Sequence, residues 1–457
     1  MERRSVLAMG TISDLASALA SGGLTSRSLV DGCLARIEDT AGQGSRAFLS
    51  VYAAEARHRA DAVDEARREG YPLPRYAGIP ISIKDLFDEA GRVNAAGSTV
   101  LADSPPASED APVVARLRAA GFIVVGRTNM TEFAYSGLGL NPHFGTPLNP
   151  FERDVERIPG GSSAGAAVSV TDDMSVAALG TDTGGSCRIP AALCGIVGFK
   201  PTARRVPLQG AVPLSSSLDS IGPLAATVEC CRILDGVLAG EPARPAPDEA
   251  MPVRGLRLAV PQSLVLADMD DVVSAAFERA LTRLSTAGAI VEDLAFEELL
   301  RIPSINAKGG FAAVEAYAWH RRLMEDRGDA YDPRVRVRIE KGALQSGADY
   351  IDILHMRADL IAQANARMAP FDAVVTPTVP RIAPTFAEME DDDAYGQVNL
   401  LMLRNPSVVN LIDGCAISIP CHRPGEAPVG LMVAAHGGAD HRLLEIVSAV
   451  EPVVRAG

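Results

Sequence analysis

Apolar positions recur at helical spacing near the start of the chain. Leu29, Val30, Cys33, Leu34 and Ile37 mark one face of an amphipathic helix over about 26–38. An Ala- and Arg-rich stretch predicts a second helix over about 53–68, ended by Gly70 and Pro72. Before both, Thr11-Ile-Ser-Asp-Leu reads as a capped helix start rather than as part of a cleaved signal, because Asp14 interrupts the apolar run. The pattern then changes. Gly78-Ile-Pro-Ile-Ser-Ile-Lys-Asp-Leu-Phe predicts a strand leaving into a loop. Residues 110–126 predict a helix from Ala111 to Ala120, a stop at Gly121 and a strand, Phe-Ile-Val-Val. Farther on, strands are predicted over 256–261, 289–291, 374–380 and 416–420, with a helix over 272–287. Residues 137–165 are loop-like and rich in Gly, Pro and Asn, and a loop of that length inside an enzyme is usually functional.

This alternation predicts an α/β fold in one elaborated domain over 1–457. Its parts are an N-terminal helical region (about 1–70), a core (about 75–225), a Pro/Ala-rich surface connector (about 239–252) and a C-terminal α/β portion (about 253–457). No internal repeat and no low-complexity tract is visible.

Composition narrows the function classes. The chain has 457 residues, 47% of them hydrophobic, enough to bury a large core. Fifty-seven acidic residues against 43 basic ones leave a net charge of −14, and no basic run tracks a phosphate backbone, so nucleic acid is not an expected partner. No stretch approaches the roughly 18 apolar residues of a membrane span. The seven cysteines, Cys33, Cys187, Cys194, Cys230, Cys231, Cys415 and Cys421, are odd in number and lack CxxC spacing, which reads as reduced thiols in a cytoplasmic protein. The histidines form no HExxH, so neither a metal nor another cofactor is expected. Arginine supplies nearly all the positive charge. Lys84, Lys200, Lys308 and Lys341 are the only lysines, and Lys84 lies in an apolar segment.

Three segments carry candidate chemistry. In the first, strand alternation puts Ile81 and Ile83 on one face and Ser82 and Lys84 on the other. A free lysine titrates near ~10.4, and burial lowers that value enough to make it a general base. Taken alone, a lysine reaching water or pairing with Asp85 explains the segment as well. The second, Pro159-Gly160-Gly161-Ser162-Ser163-Ala164-Gly165, reads alone as a glycine-serine turn. It also contains G-x-S-x-G, centred on Ser163, which invites an α/β-hydrolase reading with His436 or His441 as base. That elbow needs a strand where Pro159-Gly160-Gly161 stands. The third, Gly180-Thr181-Asp182-Thr183-Gly184-Gly185-Ser186-Cys187-Arg188, leaves backbone N–H groups around Ser186 unshielded, as an oxyanion site requires. Asp182 and Arg188 are placed to pair and brace it. A phosphate-cradling loop is the rival reading, but GxxxxGK[ST] is absent, and so is the S-x-x-K of β-lactamases.

Taken together, these segments resemble the amidase signature family of serine amidohydrolases. The resemblance runs from about Ile12 to Glu445 and is densest from Gly78 to Pro223. It is carried by Gly-Ile-Pro-Ile-Ser-Ile-Lys-Asp, Val-Val-Gly-Arg-Thr-Asn-Met-Thr-Glu-Phe, Pro-Gly-Gly-Ser-Ser-Ala-Gly, Gly-Thr-Asp-Thr-Gly-Gly-Ser, Ala-Ala-Leu-Cys-Gly-Ile-Val-Gly-Phe-Lys-Pro-Thr and Ser-Leu-Asp-Ser-Ile-Gly-Pro. It implies a large twisted mixed β-sheet covered by helices on both faces. It also implies a Ser–cis-Ser–Lys triad, with Ser186 as nucleophile, Ser162 as the cis-serine and Lys84 as base. Thr183, Gly184, Gly185 and Ser186 would supply the oxyanion hole, and Ser163 would support Lys84 by hydrogen bonding. Lys200 reads as structural. The chain departs from the family wording at Ala164, Cys187, Ala203 and Arg204, of which the last two bear on substrate contacts.

The implied activity is hydrolysis of a small carboxylic amide through a seryl acyl-enzyme, without a cofactor. The A-type catalytic chain of a tRNA-dependent amidotransferase shares the triad and is the second reading. A non-catalytic binding protein is the third, and its expected sign, loss of a triad member, is absent. The substrate-contacting residues are not legible, beyond the expectation that residues 135–140 and the segment near Asn410 approach the pocket. A homodimer is the default assembly.

Overall fold

A computed structural model of the chain describes residues 9–242 and 251–455. Eleven strands form one mixed sheet: β1 (Phe48–Val51), β2 (Pro80–Lys84), β3 (Ile123–Thr128), β4 (Ala177–Asp182), β5 (Val197–Lys200), β6 (Ser220–Ala225), β7 (Arg257–Pro261), β8 (Ile290–Leu294), β9 (Ala373–Pro377), β10 (Cys415–Pro420) and β11 (Gly430–Ala435). Their order is β1-β3-β2-β4-β6-β5-β10-β11-β9-β7-β8. β2 runs parallel to both β3 and β4, and β7 runs parallel to both β8 and β9. The remaining pairs are antiparallel.

Burial explains the strand sequences. β2 to β6 and β9 to β11 are buried at every position, whereas the edge strands β1 and β8 are largely open. A strand buried on both faces reads as a continuous apolar run, and helices must cover both sides. On one face Ile81, Ile83 and Leu179 pack with apolar residues of the helices Pro112–Ala119, Val228–Ala239, Asp271–Thr286 and Asp440–Arg455. On the other, Val125, Ala178 and Leu224 pack with the helices Ser26–Ile37, Ala164–Thr171 and Arg188–Cys194. Under β7 and β9, the helices Gly347–Met368 and Asp392–Leu411 continue that cover.

The expected helices and strands are present with ends shifted by a few residues. The capped start is a capping box, in which the Thr11 hydroxyl accepts from the Asp14 N–H and the Asp14 carboxylate accepts from the Thr11 N–H. Residues 243–250 of the expected connector lie outside the described residues. No helix among the described residues is long and apolar enough to cross a membrane.

Candidate active site

β2 and β4 are parallel, so their carboxyl ends meet at one edge of the sheet, the place where open α/β sheets bind ligands. Lys84 ends β2 and Asp182 ends β4. Alternation turns Ser82 toward the helix Ala164–Thr171, where its Oγ lies 2.9 Å from Ser169 Oγ. Lys84 faces the same way, toward Ser162, which stands just ahead of that helix. The Lys84 side chain is fully buried. Its Nζ donates to Ser162 Oγ at 2.7 Å and to Thr181 Oγ1 at 2.8 Å. Burial lowers its pKa to about 7, although Asp182 and Asp219 favour the charged form.

The loop that delivers Ser162 is held by close backbone contact. A Cβ on Gly161 would stand 2.5 Å from the Gly139 nitrogen, so only glycine fits there. The Gly161–Ser162 peptide bond is cis. Gly161 N–H donates to the Gly137 carbonyl at 2.8 Å, and Thr131 N–H donates to the Ser162 carbonyl at 3.1 Å.

The loop after β4 is organised by a buried ion pair. Arg188 donates Nε to Asp182 Oδ2 at 3.0 Å and Nη2 to Asp182 Oδ1 at 2.8 Å. Burial works against the Asp182 carboxylate, but Arg188 outweighs it and holds the pKa at about 2. Asn410 completes the knot: its amide donates to Asp182 Oδ1 at 2.9 Å, and its oxygen accepts from Arg188 Nη2 at 2.7 Å. Asp182 also accepts from the N–H groups of Gly185 (2.9 Å) and Cys187 (3.1 Å), which bracket Ser186. Gly185 has φ +132°, and a Cβ there would stand 2.6 Å from Pro406 Cβ.

Three of the four expected oxyanion donors, the N–H groups of Thr183, Gly184 and Ser186, have no hydrogen-bond partner among the described residues. The fourth, the Gly185 N–H, donates to Asp182 Oδ1. Ser186 is 3% exposed, and its hydroxyl makes no hydrogen bond to Ser162. Contact is therefore made between Lys84, Ser162 and Thr181, while Ser186 stands on the adjoining loop.

Ser163 differs from expectation. Its hydroxyl donates to the Thr181 carbonyl at 3.4 Å and not to Lys84, whose donor capacity is directed to Ser162 and Thr181. The residues just before Ser163 form no strand. His441 is engaged with Glu241, and His436 with the Gly437 carbonyl, so neither serves Ser163 as base. Lys200 is buried with burial lowering its pKa to about 8, and its ammonium donates to the Pro201 and Gly414 carbonyls at 2.7 and 2.8 Å.

Sequence reasoning missed Thr181 and Asp219 as parts of the site. Thr181 sat within a segment already singled out, and strand pairing with β2 is its signal. Asp219 accepts from Thr183 Oγ1 and from the N–H groups of Leu214 (3.0 Å) and Ser215 (3.1 Å), and burial raises its pKa to about 6. Leu403 and Ser407 of the helix Asp392–Leu411 approach Gly184 from the far side: a Cβ on Gly184 would lie 3.4 Å from Leu403 Cδ2. Nothing in their local sequence distinguishes them from core positions.

Comparison with known proteins bears on the whole chain. The Amidase family model matches residues 28–444. The chain is 38% identical over 443 residues to a 2-amino-5-chloromuconic acid deaminase of Comamonas testosteroni, covering 95% of this chain and 94% of that protein. It is 35% identical to the A chain of a glutamyl-tRNA(Gln) amidotransferase of Chloroflexus aggregans, covering 97% and 96%. A crystal structure of an amidase superposes with a TM-score of 0.86 at 30% identity, covering 97% of this chain and 99% of that one. Signature segments, mixed sheet and whole-length similarity converge, and the chain belongs to the amidase signature family.

Proposed function

We propose that this protein is an amidohydrolase that cleaves the C–N bond of a small carboxylic amide through an acyl-enzyme on Ser186. The observation that carries this reading is the buried Lys84 Nζ, 2.7 Å from Ser162 Oγ, with its pKa lowered to about 7. A lysine near neutrality accepts a proton where an ordinary lysine cannot.

In the proposed reaction, neutral Lys84 takes the Ser162 proton as Ser162 takes the proton of Ser186. Ser186 Oγ attacks the amide carbonyl carbon. The carbonyl oxygen becomes an oxyanion facing the N–H groups of Thr183, Gly184 and Ser186, which cost no reorganisation because the Asp182–Arg188 knot already holds their loop. The proton returns along the relay to the leaving nitrogen, the C–N bond breaks, and ammonia or an amine departs. Water then attacks the ester by the same relay and releases the carboxylate. Ser186 and Ser162 come into hydrogen-bond contact as substrate binds.

Linear amides are the proposed substrates, and no cofactor takes part. The cysteines are all buried and unpaired, which supports a reducing, cytoplasmic setting. The test is ammonia release from an amide panel by the purified chain, together with labelling by a fluorophosphonate. Label on Ser186, lost in Ser186→Ala and retained in Ser163→Ala, is expected. Label on another side chain overturns the assignment.

The 35% identity to an amidotransferase A chain supports a second reading, in which this protein releases ammonia only within an assembly acting on a charged tRNA. Hydrolysis by the isolated chain favours the first reading. Activity that returns only with added partner proteins favours the second.

A further inference from the structure

The helix Asp392–Leu411 reaches both loops of the candidate site. Near its end, Asn410 donates to Asp182 Oδ1 at 2.9 Å, within the knot that braces the Ser186 loop. Near its start, Tyr395 and Asn399 stand one turn apart on one face, at i and i+4, and meet Ser136 and Gly137. The Gly137 N–H donates to Asn399 Oδ1 at 2.9 Å, and an N–H only donates, so the atom it faces must be the amide oxygen. The Ser136 hydroxyl donates to the same oxygen at 2.8 Å and accepts from the Tyr395 hydroxyl at 2.8 Å. From the other side, Arg338 donates to the Tyr135 carbonyl at 2.7 Å and lies over the Tyr395 ring, 5.0 Å from its centroid.

This network leads to Ser162 without a gap. The Gly137 carbonyl accepts from the Gly161 N–H at 2.8 Å, and Gly161 directly precedes Ser162. Residue 137 is thus held through both its N–H and its C=O. Backbone contact repeats the restraint, since a Cβ on Gly139 would stand 2.3 Å from the Gly160 carbonyl oxygen. Ser136, Tyr395 and Asn399 are buried, and Tyr395 sits in an apolar cluster with Leu138, Ile189 and Met402. An apolar side chain at 399 would pack there without polar partners. A buried polar network instead fixes direction, and leaving it half satisfied is expensive. Ser162 and Ser186 stand on separate loops, and this helix holds both.

Resting on the amidohydrolase reading above, we propose that Asn399 is a positioning residue, whose side-chain oxygen holds Ser162 in line with Lys84 and Ser186 by way of Gly137 and Gly161. A misplacement of about 1 Å in a reacting group costs on the order of 10²-fold in rate. Here the group that shifts is Ser162, which hands the proton to the leaving nitrogen. Loss of Asn399 therefore falls hardest on substrates whose leaving group needs that proton.

The test is kcat/KM of the full chain for a matched pair: the amide turned over fastest in a panel from acetamide to hexanamide and benzamide, and the p-nitrophenyl ester of the same acid. An amine must be protonated as it leaves, whereas p-nitrophenolate leaves as an anion. Ser162→Ala sets the scale and lowers the amide-to-ester ratio on the order of 10²-fold. Asn399→Leu is expected to lower that ratio at least about tenfold. Asn399→Asp keeps an acceptor oxygen facing Gly137 and is expected to stay within about threefold of the parent. Partial unfolding lowers both rates together and leaves the ratio where it was. A ratio unmoved in Asn399→Leu, or in Ser136→Ala where that variant yields no soluble protein, overturns the positioning role and leaves the amidohydrolase reading in place. An Asn399→Asp ratio as low as that of Asn399→Leu does the same. A ratio unmoved in Ser162→Ala overturns the relay, and a panel without any substrate overturns the amidohydrolase reading; this proposal falls with either.

Discussion

Lys84 and Lys200 are both buried to within 1% of complete exclusion from solvent, and burial lowers both pKa values, to about 7 and about 8. Their partners differ. Lys84 meets two hydroxyls, Ser162 Oγ and Thr181 Oγ1, at the carboxyl ends of β2 and β4. Lys200 meets two carbonyl oxygens, of Pro201 and Gly414, where β5 joins β10. A hydroxyl donates as well as accepts, so the Lys84 network survives loss of a proton by reversing a hydrogen bond. A carbonyl only accepts, so the partners of Lys200 have no proton to give the amine. The same residue type, equally buried, faces partners able to give up a proton in one region and partners that only accept in the other. Partner chemistry, rather than burial or pKa, makes that distinction.

The largest expected effect lies at Ser186, the proposed nucleophile on the loop beside the first network. Ser186→Ala should lower kcat on the order of 10⁶-fold, measured as ammonia release under saturating substrate. Lys84→Ala should lower kcat/KM on the order of 10³–10⁴-fold while circular dichroism remains that of the parent. The pH profile sharpens the same point. In the proposed relay Lys84 acts in its neutral form, so kcat/KM should fall about tenfold per pH unit on acidification below about 7. A profile flat from about pH 5 to 8 would remove Lys84 as the base.

Lys200→Met tests the other half of the comparison. It strands two carbonyls in the interior and should cost about 2–4 kcal/mol in denaturant unfolding. Activity per folded molecule should stay within about threefold of the parent, since Lys200 touches neither Ser162 nor Thr181. Equal loss of activity in Lys200→Met and Lys84→Ala would erase the contrast. The smallest effect is at Ser163, whose hydroxyl reaches only the Thr181 carbonyl at 3.4 Å. Ser163→Ala should cost less than about tenfold in kcat/KM.

Much of the site was legible because it is written in contiguous phrases. Glycines before Ser162 and Ser186 mark backbone that must pass close to its neighbours, and the contacts at Gly161 and Gly185 bear this out. Asp182 and Arg188 lie six positions apart, close enough for pairing to be read from spacing. The hydrogen bond from the Gly185 N–H to Asp182 was not legible, because the sequence does not say where that carboxylate turns. β4, β5, β6 and β11 were missed because a short strand buried at every position has no polar alternation to mark it off from a buried helix. Asp219 and Leu403 come from segments whose local pattern is that of any turn and any helix.

Alternation along β2 by itself determined that Lys84 shares a face with Ser82, and side-chain type determined which groups are able to take or give a proton. Periodicity is a short-range property and is complete within a few residues. Which hydroxyl the lysine meets, which backbone donors remain open and which walls surround the reacting carbon were decided only when β2, β4 and the helix Asp392–Leu411 packed together. Those contacts join residues far apart in the chain, and burial, which sets the lysine's basicity, exists only once that packing has excluded water.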